Sequence, residues 1–343
     1  MNRAVIVSFA RTPITKFRGS LSGLKAPQLG AAAIKGALAK TGIQDPDDDL
    51  RITEALMGNV VSAGIGQAPC RQAVIGANLP KSTVCTTINK VCASGMKTVM
   101  LASQMIQCGA LQDHPKNALL AGGFESMSNV PHYLLNSRSG TTLGNATLTD
   151  GVIHDGLWDI YNNQHMGMCA EKCAEDYNIT REEQDEFALE SYRRAQQAVA
   201  SGVFQDEITA MNVPQRRGDP IVVDTDEEPS AVNMDKLPTL RPAFKRTDGT
   251  VTAANASSLN DGAAAMVIMG EDAANALGLQ PLARILGYGD AEQDPVDFTT
   301  SPSLAVPVAA RNAGVDLSDI DYHEINEAFS VVVSTLYCSN ALR

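Results

Sequence analysis

No run of about 18 consecutive apolar residues occurs in the 343-residue chain, so no membrane-spanning helix is expected. No block of Lys or Arg occurs either. With 27 basic residues against 39 acidic ones, a net charge of -12, the chain has no basic field to draw in a phosphate backbone, and neither nucleic acid nor a membrane is an expected partner. A small anionic ligand stays open, because backbone amides and a few local cations bind one against the global charge. The seven cysteines (Cys70, Cys85, Cys92, Cys108, Cys169, Cys173, Cys338) are odd in number and scattered, which argues for free thiols in a reducing compartment and not for a disulfide framework. Cys169 and Cys173 have no second ligand pair at useful spacing, which argues against zinc. The opening MNRAVIVSFARTP reads as a strand from almost Met1, leaving no room for a signal peptide or an Arg-rich leader, and the final ALR is not a convincing peroxisomal address. A cytoplasmic location is expected before a mitochondrial one.

What is present is a globular composition, 44% hydrophobic and 19% charged, long enough for two or more packed units. Strand and helix signals alternate through the first third, which predicts an α/β unit with a buried sheet. RAVIVSFA, EALMGNVVSAG, KSTVCTTINKV and NALLAGGFESM are strand candidates, the last running into a Gly-Gly turn. PQLGAAAIKGALAKTG, GQAPCRQAVIGANL and the segment from Ser94 to about Gln107 are helix candidates, the third apolar on most sides and so expected to be buried. Between about Gly122 and Asp248 the text is loop-rich around one clear helix, which a TREE capping box opens and Gly202 closes. The alternation then resumes with GTVTAANASSLNDGAAAMVIMG, ARILGYGDA, a helix near LAVPVAARNAG and the strand DIDYHEINEAF, a weak echo of the first half.

Cys92 follows a β-leaning run and precedes Ala-Ser-Gly at a helix start, in INKVCASGMK. A strand-to-helix turn puts its sulfur beside backbone N–H groups and the positive end of the helix dipole, which favours thiolate. Ala93, Ser94 and Gly95 are small enough to admit a substrate carbonyl. Geometry alone leaves Cys92 open between core filling and nucleophile.

INKVCASGMK, HMGMCAE, GTVTAANASSLNDGAAA and EINEAFS stand in the order and at the approximate separations of the thiolase family, and the chain resembles its biosynthetic branch from the N-terminus to about Val333. The resemblance implies a thiolase-like α/β fold of two similar mixed-sheet halves with an inserted loop domain. Residues 1–121, completed by about 250–271, would be the N-terminal half, 122–249 the inserted loop domain for coenzyme A, and 272–343 the C-terminal half. It implies reversible condensation of two acetyl-CoA to acetoacetyl-CoA through an acetyl-cysteine, with CoA thioesters as substrates, no required cofactor, and a homo-oligomer (dimer or tetramer).

By the same resemblance Cys92 is the nucleophile, and Asn326 holds a water in an oxyanion hole. His165 lines the thioester site and Met166 shapes a pocket for a short acyl chain. Leu157, Phe244 and Ser257 contact the pantetheine arm, with Ala328 and Phe329 as pocket wall. Read without it, His165 is a surface or satisfied histidine, Ser257 a helix N-cap, Asn326 a turn cap, and the apolar residues ordinary core. Tyr192 with Ala253, Ala254 and Ala256 resembles the potassium-binding version of the family, where phenol and carbonyl oxygens are suitable hard ligands.

After EINEAFS the chain runs STLYCSNALR, unlike the family. The expectation is a C-terminally truncated chain with its second half incomplete and aggregation-prone. It would lack the histidine that activates the nucleophile, the second cysteine that serves as acid/base and a glycine amide of the second oxyanion hole. Neither His323 nor Cys338 matches a catalytic motif. The alternative that follows is a catalytically impaired form that binds CoA or pairs with other subunits.

Overall fold

Alternating strand and helix text becomes one mixed sheet with helices on both faces. The computed structural model describes residues 2–43, 50–111, 114, 116–140 and 142–338. In chain order the elements begin with β1 (Ala4–Arg11), β2 (Thr15–Lys16), α1 (Ala26–Ala39), β3 (Arg51–Gly58), α2 (Pro69–Gly76) and β4 (Val84–Ile88). Next come α3 (Ser94–Gln107), β5 (Asn117–Ser126), the short strands β6 (His132–Tyr133) and β7 (Thr149–Asp150), α4 (Gly151–Gly156), and the hairpin β8 (Trp158–Asp159) and β9 (Gln164–His165). Then follow α5 (Met166–Asp176), α6 (Arg181–Ser201), β10 (Met211–Val213), β11 (Ile221–Val223) and α7 (Glu228–Ala231). The chain closes with β12 (Asn260–Gly270), α8 (Glu271–Ala276), β13 (Ala283–Arg284), α9 (Ser301–Ala313) and α10 (Ser330–Cys338).

The chain divides into two units, one of Met1–Gly156, Val203–Glu227 and Leu259–Ile285, the other of Leu157–Gly202, Glu228–Ser258 and Leu286–Arg343. The first holds the seven-stranded sheet, ordered β13-β1-β12-β5-β3-β4 with β2 also on β12. β3 runs parallel to both β4 and β5, whereas β12 pairs antiparallel with β1 and β5. Side chains alternate between the two faces, so one strand feeds two cores. Val5, Val7, Met57, Leu120 and Val267 join the cluster with Leu29, Ile34 and Val74 of α1 and α2; Ala4, Leu56, Leu119 and Ile268 join the one with Ala102 and Ile106 of α3. The continuous apolar run of β5 follows from that burial on both faces. The returning segment Val203–Glu227 is tied to the end of β1 by Arg11, whose guanidinium grips both Asp226 oxygens at 2.7 and 2.8 Å and Glu207 at 2.6 Å.

Gly122-Gly123 is not the turn that the sequence suggests: β5 continues through it to Ser126. The reason is close approach, since a Cβ on Gly122 would stand 2.1 Å from the carbonyl oxygen of Ala264 on β12.

The second unit is mainly helical among the described residues. Thr180 opens α6 as the capping box requires, its hydroxyl accepting from the Glu183 N–H at 3.2 Å while Glu183 accepts from the Thr180 N–H at 2.7 Å. Gly202 ends it with φ 75°. Ala170, Cys173 and Ala174 of α5 pack with Ile179, Val251, Phe329, Val331 and Val332 into its core. DIDYHEINEAF is not a strand, a correction to the sequence reading: after a short 3-10 turn at Leu317–Asp319 the backbone is irregular up to Phe329. No described strand lies beside it to complete a ladder, and most of its side chains face solvent. ARILGYGDA likewise yields only β13, at the edge of the first unit's sheet beside β1. No described helix is long and apolar enough to cross a membrane.

Gly122→Ala is expected to lower stability by about 2 kcal/mol or more, because the added methyl meets backbone and not a movable side chain. Urea denaturation with an unchanged m value checks it.

Candidate active site

Cys92 lies in the first unit, on the five-residue turn between β4 and α3, and is exposed. Val91 before it has φ 47°, the left-handed region that a β-branched residue enters only at a cost of about 1–3 kcal/mol. Its surroundings hold it there. The Val91 N–H donates to Asn89 Oδ1 at 3.0 Å, and its carbonyl accepts from Ser94 Oγ at 2.6 Å. The Lys90 N–H donates to Ser94 Oγ at 2.8 Å, and the Ala93 N–H to the Lys90 carbonyl at 3.1 Å. The start of α3 presses on the sheet: a Cβ on Gly58 would meet the Ser94 carbonyl carbon at 2.7 Å, and Thr98 Oγ1 accepts from the Gly122 N–H of β5 at 2.9 Å. The thiol is thus set on a fixed, strained turn open to solvent.

Its ionisation runs against the dipole argument. Burial pushes the Cys92 thiol up, and its own backbone N–H offsets this only in part. The residue is exposed overall, yet enough protein surrounds the sulfur for desolvation to lead.

The other residues singled out in the sequence all lie in the second unit. His165 ends β9 and caps α5, its Nδ1 accepting from the Gly167 N–H at 3.0 Å, which leaves the neutral ring's proton on Nε2. Burial lowers its pKa, and protonation of Nδ1 would also break the cap. Phe244 stacks on the imidazole with centroids 4.7 Å apart, and its edge meets Phe329 at 6.3 Å. Gly167 lets that stack form, because a Cβ there would lie 2.3 Å from the Phe244 ring. Met166 is half-buried, its N–H donating to the Leu157 carbonyl at 2.9 Å. Ser257 is exposed and caps no helix; its N–H donates to the Ala328 carbonyl at 3.0 Å, beside the bridge between Ala256 and Phe329.

His165, Met166, Leu157, Phe244, Ser257, Ala328 and Phe329 therefore form one connected group. Asn326 is exposed in the irregular segment leading to Phe329, and Tyr192 is half-buried on α6; no hydrogen bond or ring contact among the described residues ties either to the group. Ala253 is exposed and Ala254 half-buried on the loop before Ser257. Burial, then the charges of Glu228 and Glu327, push the Tyr192 phenol up, so it stays neutral beside two carboxylates. The phenol oxygen is a hard donor of the kind that suits a monovalent cation. Two open clefts of about 330 and 420 Å³, around Lys172 and Asp297 and around Glu175 and Lys245, contain none of these residues.

Sequence reasoning missed the groups that hold this arrangement. Glu171, 4% exposed, accepts from the Thr250 N–H at 2.9 Å and the Val251 N–H at 2.9 Å. Asn255, 2% exposed, donates to Asp185 at 2.9 Å and to the Thr250 carbonyl at 3.0 Å, and accepts from the Thr252 N–H at 2.8 Å. The signal was an Asn and a Glu inside motifs otherwise made of small or apolar residues.

Phe244→Ala is expected to expose the imidazole and move the His165 pKa back up toward about 6.5, followed through its ring proton shifts by NMR. Because the wild-type histidine binds its proton less readily folded than unfolded, His165 costs stability as pH falls below about 6.5, and the variant is expected to lose part of that dependence.

The profile of the thiolase N-terminal domain matches residues 4–272 and that of the thiolase C-terminal domain residues 279–343. The chain is 53% identical to the acetyl-CoA acetyltransferase of Schizosaccharomyces pombe over 95% of its own length and 80% of that protein's. It is 50% identical to the cytosolic acetyl-CoA acetyltransferase ERG10 of Gibberella zeae over the same shares. The crystal structure of the Acat5 thiolase from Ascaris suum in complex with coenzyme A superposes with a TM-score of 0.89 at 41% identity, over 98% of this chain and 84% of that one. The expected C-terminal truncation is not borne out, because a thiolase C-terminal domain is matched from residue 279. With both domain profiles matched and the fold shared, the chain belongs to the thiolase family.

Proposed function

We propose that the chain is an acetyl-CoA C-acetyltransferase, condensing two acetyl-CoA to acetoacetyl-CoA and free CoA, reversibly. The observation that carries the reading is the exposed thiol of Cys92 on its strained turn at the start of α3. Its support is the identity, about half of all residues, with proteins named for this activity, and the CoA bound by the Ascaris suum thiolase.

A general base takes the Cys92 proton, and the thiolate attacks the acetyl carbonyl; the tetrahedral adduct collapses, the C–S bond to CoA breaks, and CoA leaves with that proton. A second acetyl-CoA gives up an α proton to a general base, its carbanion attacks the acetyl-cysteine, and the Cys92 thiolate is released with acetoacetyl-CoA. Asn326 holds a water that donates to a developing oxyanion. His165 lines the thioester site, with Nε2–H as the donor its cap leaves available, and Met166 limits the acyl chain. Leu157, Phe244, Ser257, Ala328 and Phe329 receive the pantetheine arm and form the pocket wall. No cofactor beyond the CoA thioesters takes part.

Tyr192 and the carbonyls of Ala253, Ala254 and Ala256 would hold a potassium ion, which supplies fixed positive charge to that loop. The proposal extends to a homo-oligomer, dimer or tetramer, and to a cytosolic location, which the name of the Gibberella zeae relative supports. Light scattering and cell fractionation test those two.

Incubation with labelled acetyl-CoA is expected to place one acetyl group on Cys92, located by peptide mass spectrometry, and to yield acetoacetyl-CoA. Cys92→Ser is expected to lower turnover by about a thousandfold or more. CoA binding with no acyl-cysteine would sink the reading. For the cation, the melting temperature is expected to rise more in potassium than in sodium chloride, and equal responses would remove that site.

A further inference from the structure

Glu125 stands near the end of β5 and reaches the loop that follows β3. Its Oε1 accepts from Asn59 Nδ2 at 2.7 Å, and its Oε2 from the Val60 N–H at 2.8 Å and the Val61 N–H at 3.4 Å. Asn59 is 3% exposed and also donates to the Phe124 carbonyl at 3.1 Å, so its amide cannot rotate without breaking a bond. From that loop the Val60 carbonyl accepts from Asn89 Nδ2 at 3.4 Å, and Asn89 Oδ1 accepts from the Val91 N–H at 3.0 Å. Val91 is the left-handed residue that precedes Cys92. A line of hydrogen bonds thus runs inside the first unit from a carboxylate to the turn that carries the thiol.

The turn has reason to need it. A strained valine persists only where its surroundings over-determine it. Ser94 holds its carbonyl from within the turn, whereas Asn89 holds its N–H from the sheet side, through a loop that Glu125 fixes. We infer that Glu125 is a positioning residue for Cys92, keeping Val91 left-handed through the Asn59–Val61 loop and Asn89 and so setting where the thiol points. The inference rests on the reading of Cys92 as nucleophile.

A carboxylate suits this place and an amide does not. Three N–H donors converge on its two oxygens, and a glutamine would turn an NH2 toward at least one of them. Burial, together with the charge of Asp261 on the neighbouring β12, pushes Glu125 up to about 7, while the three donors pull it down. Asp261 is wholly buried and is the other acid facing it.

The test is the single-turnover rate at which labelled acetyl-CoA acylates Cys92 in the full chain, measured for the wild type, Asn89→Ala, Glu125→Gln and the double variant. Asn89 is exposed, so its truncation is expected to leave the melting temperature unchanged. Both single variants are expected to acylate about tenfold more slowly with an unchanged KM for acetyl-CoA, and the double variant no more slowly than the worse single one. Multiplying losses, or an Asn89→Ala or folded Glu125→Gln protein that acylates within about twofold of wild type, would overturn the relay alone. Should Glu125→Gln unfold, Asn89→Ala decides. A wild type that takes no acetyl group on Cys92 removes the functional reading and the relay with it.

Discussion

The first unit depends on how closely the start of α3 lies against the sheet. Where Gly58 faces Ser94, any side chain would collide with backbone, and Thr98 threads its hydroxyl into the ladder of β5 by exchanging hydrogen bonds with the Gly122 N–H and carbonyl. That contact sets the height of the helix start, and the helix start sets the position of Cys92. A helix held by an apolar stripe alone tolerates small shifts along its axis; one held also by backbone contact and a threaded hydroxyl does not. Since a misplacement of about 1 Å can cost a hundredfold in rate, rigidity here suits the chemistry proposed for Cys92.

The second unit answers the same need differently. It has no large sheet among the described residues, and its candidate binding residues sit on loops and on a helix start. Order comes from buried polar anchors. Glu171 clamps the backbone at Thr250 and Val251, and Asn255 joins that loop to α6 through Asp185 and to α10 through the Ser330 N–H at 2.8 Å. Each anchor is satisfied several times over, which makes it expensive to remove, because the loss of one side chain strands several buried partners. The aromatic stack of His165, Phe244 and Phe329 then fills the space those anchors define.

The strands and helices of the first half were legible because their faces are buried, and burial writes itself into spacing. Ser94–Gln107 and the capping box at Thr180 read almost to the residue. Gly122-Gly123 misled because glycine signals both turning and close approach, and only the carbonyl of Ala264, more than a hundred residues on, decides between them. DIDYHEINEAF misled because β propensity is realised only against a partner strand. The residues around the candidate site were legible by motif and not by pattern: nothing in spacing distinguishes His165 or Ser257 from surface residues, and the anchors Glu171 and Asn255 bind mostly backbone N–H and carbonyl groups, which carry no sequence.

The thiol shows how two local rules are weighed. A helix N-terminus stabilises thiolate, but its effect falls off within a turn and is about 1 kcal/mol at an exposed site. Desolvation acts on the whole charge, and each pKa unit is about 1.4 kcal/mol, so a modest loss of water contacts outweighs the dipole. Burial therefore pushes the Cys92 thiol up, against what its position at the mouth of α3 suggests. For the proposed nucleophile, open to solvent, this has a consequence. Oxidants and stray electrophiles attack the thiolate, so a protonated sulfur at rest is protected. In the proposed reaction, acylation then needs a proton acceptor close to the bound thioester.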